Sequence, residues 1–324
     1  MPHVLVAGRL HSSGRAVLDA APGVTVHYVE EVSEESYAPF VADADAILIR
    51  TQPLSATTVA KAGRLRIVSR HGVGYDAVDL AALNARGIAL AVCGDVNSIS
   101  VAEHAAMLIL SAAKRSIRAD RAVRTGAWEW RNLLQAQDLR GCNFLQIGFG
   151  RIGRHICAIM RGFGMHLRAH DPFLAEQGWP DSEVAKVDDL RQALGWADVV
   201  SVSVPGTGTP LLGAAEFEAM RPGAIIVNTA RGGVLDESAL VAGLTSGRIA
   251  AAGLDVFENE PLPKDHPLAR FDQVVLSPHI AGLTDGAAER MAIASARNIL
   301  DFFAGRIAPE LVVNRKEIGF EAAP

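Results

Sequence analysis

Three charged residues stand just beyond apolar runs, and together they are of types that interconvert hydroxyl and carbonyl groups. Ile225-Ile226-Val227-Asn228 leads into Thr229-Ala230-Arg231-Gly232-Gly233, Ala252-Gly253-Leu254-Asp255-Val256-Phe257 into Glu258-Asn259-Glu260-Pro261, and Val274-Val275-Leu276 into Ser277-Pro278-His279-Ile280. An arginine can grip a carboxylate with two parallel bonds and polarise a carbonyl oxygen. A histidine can pass a proton to or from that oxygen, and a carboxylate within hydrogen-bond reach fixes its tautomer. Taken singly, each has an ordinary explanation: Arg231 as a solvated loop charge, Glu260 as a turn residue before Pro261, His279 as a turn residue after Pro278. Parallel strands, however, gather such loops at one edge, and open α/β sheets bind ligands beyond the carboxyl ends of their strands.

A second constellation is Gly148-Phe149-Gly150-Arg151-Ile152-Gly153, directly after the strand-like run Phe144-Leu145-Gln146-Ile147. In this G-x-G-x-x-G, Gly148 permits the tight turn, Gly150 lets the backbone approach a pyrophosphate, and Gly153 allows close helix-to-strand packing. The free N–H groups of the helix start then receive phosphate. Asp171 ends the next apolar run, near the ~20-residue separation expected of an acid that binds the adenosine ribose. A carboxylate there repels a 2′-phosphate, so NAD is expected over NADP. The alternative is that Asp171 only initiates the Asp171-Pro172 turn. His166 and His170 fall on a strand, which argues for packing over a shared metal face; no metal is expected.

These residues need a scaffold of strand-to-helix turns. Apolar runs at 3–8, 24–29, 46–50, 67–71 and 88–92 alternate with helical patterns, a βαβ rhythm that implies a parallel sheet covered on both faces. The rhythm breaks near Ser98, where Ser100 and Glu103 suggest a capping box and Val101, Ala105, Leu108, Ile109 and Ala112 repeat at helical spacing. A second series follows, with six strands near 143–147, 166–170, 198–204, 224–228, 249–255 and 273–276. The expected fold is therefore α/β, with two doubly wound domains. Beyond Thr284, a helix bearing Ala288, Met291, Ala292, Ser295 and Ile299 on one side is expected to return to the first domain.

Composition narrows the function classes. With 324 residues at ~150 per domain, about two domains are expected. Thirty-one Lys and Arg against 36 Asp and Glu leave a charge of −5, with no basic surplus for a phosphate backbone, so no nucleic acid is expected as partner. No apolar run reaches the ~20 residues of a membrane span. Cys93, Cys142 and Cys157 form no C-x-x-C pair, and the start of the chain has no signal-peptide pattern; a reduced, cytoplasmic protein is expected.

The motifs together resemble the NAD-dependent D-isomer-specific 2-hydroxyacid dehydrogenases, a family that includes 3-phosphoglycerate, glycerate and D-lactate dehydrogenases. The resemblance covers nearly the whole chain: His71-Gly72-Val73-Gly74-Tyr75-Asp76, Val101-Ala102-Glu103-His104, the glycine turn with Asp171, Asn228 to Gly233, Asp255 to Pro261, and Ser277 to Gly282. It implies a flavodoxin-like substrate domain, residues 1–97 plus 285–324, and an inserted Rossmann NAD-binding domain, 98–284. It puts the catalytic trio on Arg231, Glu260 and His279, selecting Glu260 over Glu258. It further implies that Arg151 and Ile152 contact the pyrophosphate, that Thr229, Ala230 and Asp255 line the nicotinamide side, and that the Val73 and Gly74 N–H groups receive the substrate carboxylate in an interdomain cleft. Members are usually dimers through the inserted domain, so a homodimer is expected, with the helix after Ser100 and the Trp128 and Trp130 segment in the interface; packing of the tryptophans within the chain is the alternative.

The implied activity is hydride transfer between NAD(H) and a small D-2-hydroxy acid or 2-oxo acid. Two other readings are a corepressor-like protein that senses NAD and a phosphite-type dehydrogenase, whose oxyanion a similar trio could orient. Where many members have a histidine before Pro205, this chain has Ser203. Arg50, followed by Thr51-Gln52-Pro53, is a candidate second substrate contact or simply a strand-end charge. Gln52 in place of a second arginine favours a small polar 2-oxo acid over a phosphorylated one. With its end soon after Asn314, the chain is expected to lack the regulatory domain of longer members.

Overall fold

The computed structural model describes residues 1–206 and 208–320. The chain forms two compact units, residues 1–97 with 283 onward, and residues 98–282.

In the first unit, five strands form one sheet: β1 (His3–Ala7), β2 (Thr25–Val29), β3 (Ala46–Ile49), β4 (Ile67–Arg70) and β5 (Ala89–Ala91). The order is β2-β1-β3-β4-β5 and every pairing is parallel. Continuous apolar runs make the central strands because both faces are covered; all four residues of β3 are buried, whereas Thr25 on the edge strand β2 is exposed. The helix Asp285–Phe303 packs on β3, β4 and the helix Ser12–Asp19. Gly14 makes that helix pairing possible, since a Cβ there would stand 2.7 Å from the Ala292 Cβ. Asn314 locks the returning segment to the sheet by accepting the Leu90 N–H and donating to the Ile88 carbonyl.

The second unit contains β6 (Asn143–Ile147), β7 (His166–His170), β8 (Ala185–Lys186), β9 (Val199–Val202), β10 (Ala224–Asn228), β11 (Ile249–Leu254) and β12 (Val274–Leu276). They pair in parallel in the order β12-β11-β10-β9-β6-β7-β8, so the winding reverses between β6 and β9, the point where such sheets bind ligands. This sheet has seven strands where six were expected. β8 is a two-residue edge strand, exposed at both positions, and offers no apolar run to detect.

The proposed capping box is also corrected: the long helix spans Ser98–Lys114, so Ser100 is a buried residue inside it. Val101, Ala105, Leu108, Ile109 and Ala112 are buried as the helical spacing requires. Gly253 of β11 lets this helix approach the sheet, because a Cβ there would lie 2.8 Å from the Leu108 Cβ.

Candidate active site

The glycine turn joins β6 to the helix Arg151–Gly162. Gly148 has φ +84°, and a Cβ there would meet the Ser203 carbonyl oxygen at 2.4 Å; on Gly153 it would meet the Gly148 carbonyl oxygen at 2.2 Å. At Gly150 a Cβ would meet nothing within 4 Å, so this residue keeps open space rather than close packing. Gly150 is also the helix N-cap and supplies no side-chain bond, which leaves the Arg151 and Ile152 end of the helix dipole uncapped by a side chain. Ser203 Oγ, beside the turn, and Thr229 Oγ1, just after β10 on the same sheet edge, are buried without a hydrogen-bond partner among the described residues. An open glycine, an uncapped helix start and unpaired hydroxyls fit a dinucleotide.

Asp171 does two things. Its Oδ1 accepts the Phe173 and Leu174 N–H groups, capping the short helix Pro172–Gln177, and its Oδ2 accepts the Phe149 N–H at 2.9 Å. The turn-initiating alternative is thus realised, and the same carboxylate is tied to the glycine turn. A carboxylate has about four acceptor sites, so three N–H groups leave room for a ribose hydroxyl.

At the other side of the switch point, His279 Nδ1 lies 2.7 Å from Glu260 Oε2. The carboxylate can only accept, so Nδ1 carries the proton and Nε2 is the nitrogen left to exchange one. Glu260 is itself held, its Oε1 accepting the Phe257 N–H at 3.0 Å. Glu258, the alternative carboxylate, is occupied elsewhere: its Oε1 accepts the Glu237 N–H at the start of the helix Glu237–Ser246. His279 adopts φ 54°, a left-handed conformation that costs a non-glycine residue about 1–3 kcal/mol.

Asp255 offsets that cost. Fully buried, it accepts the Ser277 hydroxyl at 2.6 Å and the Ile280 and Ala281 N–H groups at 2.9 and 2.8 Å, while its own carbonyl accepts the His279 N–H. His104 Nε2 completes the cluster at 2.8 Å from the Ser277 hydroxyl. Asp255, expected along the nicotinamide side, thus directs its carboxylate into the turn that carries His279.

Arg231 follows β10, the neighbour of β11, and so shares this sheet edge. Its loop is shaped by Asn228, whose Oδ1 accepts the Ala230 N–H and whose Nδ2 donates to the Arg231 carbonyl. Gly232 packs where no side chain fits, since a Cβ there would lie 1.7 Å from the Phe257 carbonyl oxygen. Asn228 and His104 carry no role in the sequence reading, although both lie in its motifs; Asn228 acts on its own loop, two and three residues on, whereas the Ser277 partner of His104 is distant in sequence and only the fold brings them together.

Arg50, Val73 and Gly74 belong to the first unit, after β3 and β4. No backbone hydrogen bond among the described residues uses the Val73 or Gly74 N–H. The turn before them is fixed by Cys93, whose Sγ accepts the Gly72 N–H and whose N–H donates to the Gly72 carbonyl; burial pushes this thiol up to about 11, so it remains protonated. Arg50 Nη1 donates to the Arg9 carbonyl and Arg70 Nη1 to the His71 carbonyl. Register pairs Ile49 with Arg70, so a second arginine does stand near Arg50, from β4 and not from position 52. Gln52 is buried and donates to the Glu31 carbonyl. His71, also buried, is pushed down to about 4 by desolvation and by Arg50 and Arg70.

A separate groove of about 530 Å³ opens by Asn143 and His166, at the N-terminal ends of β6 and β7, opposite these loops. Its cations are already engaged, Arg161 with Asp181 and Glu183, and Arg168 over the Trp196 ring. Among the described residues no His, Cys, Asp and Glu cluster is suited to a metal ion.

A family model described as "D-isomer specific 2-hydroxyacid dehydrogenase, NAD binding domain" matches residues 106–281. The chain is 37% identical to a D-3-phosphoglycerate dehydrogenase of Archaeoglobus fulgidus, over 87% of this chain and 54% of that protein. It thus spans about half of that relative's length. To a glyoxylate reductase of Thermofilum pendens it is 35% identical, over 96% of this chain and 94% of that protein. In structure it is similar to an NADPH-dependent glyoxylate/hydroxypyruvate reductase of Sinorhizobium meliloti, with TM-score 0.87 and 28% identity over 99% of this chain and all of that one.

Proposed function

The chain belongs to the D-isomer-specific 2-hydroxyacid dehydrogenase family, and from that membership we propose that it transfers a hydride between NAD(H) and a small D-2-hydroxy acid or its 2-oxo partner. The observation that carries the reading is the 2.7 Å contact of His279 Nδ1 with Glu260 Oε2 on the sheet edge that also bears Arg231 and the glycine turn.

In this reading Gly148, Gly150, Arg151, Ile152 and Gly153 hold the pyrophosphate, Asp171 the adenosine ribose, and Thr229, Ala230 and Asp255 line the nicotinamide side. When bound, the cofactor supplies or accepts the hydride. Arg231 holds the substrate and polarises its oxo oxygen. In reduction, His279 Nε2 gives that oxygen its proton, and the Glu260 carboxylate partners the imidazolium. On the first unit, the Val73 and Gly74 N–H groups, which enter no backbone hydrogen bond among the described residues, would receive the substrate carboxylate, and Arg50 would be a second substrate contact.

Among the described residues no helix is long and apolar enough to cross a membrane. Ile99, Met107, Ile117, Val123, Trp128, Leu133 and Leu134 are exposed within one stretch of the second unit, and apolar side chains gathered on a surface mark interaction sites. This supports a homodimer covering that stretch, to which the 60% exposed Trp128 would contribute, whereas Trp130 is half-buried, as packing within the chain would have it. Light scattering after gel filtration measures this; a monomer at micromolar concentration contradicts it.

The activity itself is tested by following NADH oxidation at 340 nm with a panel of 2-oxo acids, and NAD reduction with both enantiomers of each hydroxy acid and with phosphite. D-selective turnover is expected. Reaction with L-enantiomers alone, or with phosphite alone, would overturn the reading.

A further inference from the structure

The loop that carries Glu260 is gripped from a second side by residues that touch neither Glu260 nor His279. Glu237 and Glu258 exchange bonds: Glu237 Oε1 accepts the Glu258 N–H at 2.8 Å, and Glu258 Oε1 accepts the Glu237 N–H at 3.0 Å. Glu237 Oε2 lies 3.3 Å from His266 Nε2, and His266 Nδ1 accepts the Leu268 N–H, so the neutral ring presents Nε2–H to the carboxylate. Adjacent N–H groups of one short loop therefore go to two different glutamates: Phe257 to Glu260, Glu258 to Glu237.

We propose that Glu237 is a positioning residue for the reaction: through the Glu258 N–H, its carboxylate fixes the loop that presents Glu260 to His279. The inference rests on the proposed function of the trio. A helix start needs only an acceptor for its own N–H groups, which Asp236 and Glu258 already supply. Glu237 instead reaches out of the helix with both oxygens, one to the loop and one to His266. It does so although burial and the Glu258 and Glu260 charges push its carboxyl up, against the Glu258 N–H and His266, which hold it down. A buried carboxylate kept beside two others is costly unless its bonds are made in full.

The test is steady-state kinetics and thermal unfolding of Glu237→Ala and Glu237→Gln, each alone and with Glu260→Gln. Loosening a positioned group costs up to ~10²-fold. Glu237→Ala should remain folded and lose about tenfold or more in kcat, with KM for NADH changed less than about twofold. Glu237→Gln should recover part of this, because its amide oxygen still accepts the Glu258 N–H although its amide nitrogen cannot accept from His266 Nε2. In the Glu260→Gln background, Glu237→Ala should add less than about twofold. Should Glu237→Ala not fold, Glu237→Asp keeps the charge at the helix start but falls a methylene short of the Glu258 N–H, and the same loss is expected. Unchanged kcat in a folded variant, or an equal loss in both backgrounds, would overturn the proposal while leaving the trio intact. If Glu260→Gln itself turned over normally, the reading of the trio would fall, and this proposal with it.

Discussion

His279 and Glu260 come from loops after two neighbouring parallel strands and meet at 2.7 Å between Nδ1 and Oε2. The imidazole is thereby fixed in one tautomer, on a backbone held left-handed by the bonds of Asp255. Glu260→Gln keeps the shape but removes the charge that partners an imidazolium. We expect kcat to fall about tenfold or more in the direction that needs the proton donor, with NADH binding unchanged. Equal kcat for Glu260→Gln and wild type, from pH 6 to 8, would contradict this.

Asp171 should make NADH the preferred cofactor. A carboxylate about 4 Å from a 2′-phosphate charge costs up to ~4 kcal/mol at an effective dielectric of 20, and a third of that is roughly tenfold in affinity. Asp171→Asn retains an oxygen for the Phe173 and Leu174 N–H groups while removing the charge, and should narrow the gap. Fluorescence titration with NADH and NADPH measures both; equal affinities in the wild type would refute the assignment.

Gly232→Ala should be more damaging than a surface glycine substitution. Its Cβ would stand 1.7 Å from the Phe257 carbonyl oxygen, so the Glu260 loop must move. Overpacking costs about 1–3 kcal/mol of stability, and we expect activity to fall further than that cost explains. Denaturant unfolding alongside kinetics separates the two, and full activity in the variant would show that the loops do not touch as described.

His71 is buried and held down to about 4 by desolvation, Arg50 and Arg70, against about 6.5 in an unfolded chain. Between these values the unfolded state binds a proton that the native state refuses, so stability falls as pH drops from 6.5 toward 4, by up to about 3 kcal/mol. Urea unfolding of the wild type and His71→Asn at pH 7 and pH 4.5 should show a smaller acid loss in the variant. Identical losses would contradict it.

The tied arginines of the first unit bear on substrate size. Arg50 and Arg70 each spend a terminal nitrogen on a backbone carbonyl, and Gln52 is buried. We therefore expect glyoxylate or hydroxypyruvate to exceed phosphorylated 2-oxo acids in kcat/KM. The reverse order would assign these arginines to a phosphate.

The sequence shows most plainly those features in which one short segment carries its own reason. The central strands are continuous apolar runs, and the glycine turn states its geometry in three residues. β8 escapes because two exposed residues carry no pattern. The start of the long helix is misread because Ser100 and Glu103 mimic a cap in a segment already helical from Ser98. Glu258 and Glu260 are alike in type, and the resemblance selects Glu260 without a physical reason; the fold supplies the reason by sending Glu258 to Glu237 and Glu260 to His279. Asp255, His104 and Ser277 form one cluster across three segments, which the register of β11 with β12 and the packing of the long helix on them assemble.

The most direct test of the account is turnover by His279→Gln on the best 2-oxo acid with NADH, measured beside NADH binding by fluorescence. Loss of the proton donor should lower kcat by ~10²-fold or more and leave the NADH dissociation constant within about twofold. Near-normal turnover by this variant would contradict the assignment of His279 and, with it, the proposed chemistry of the site.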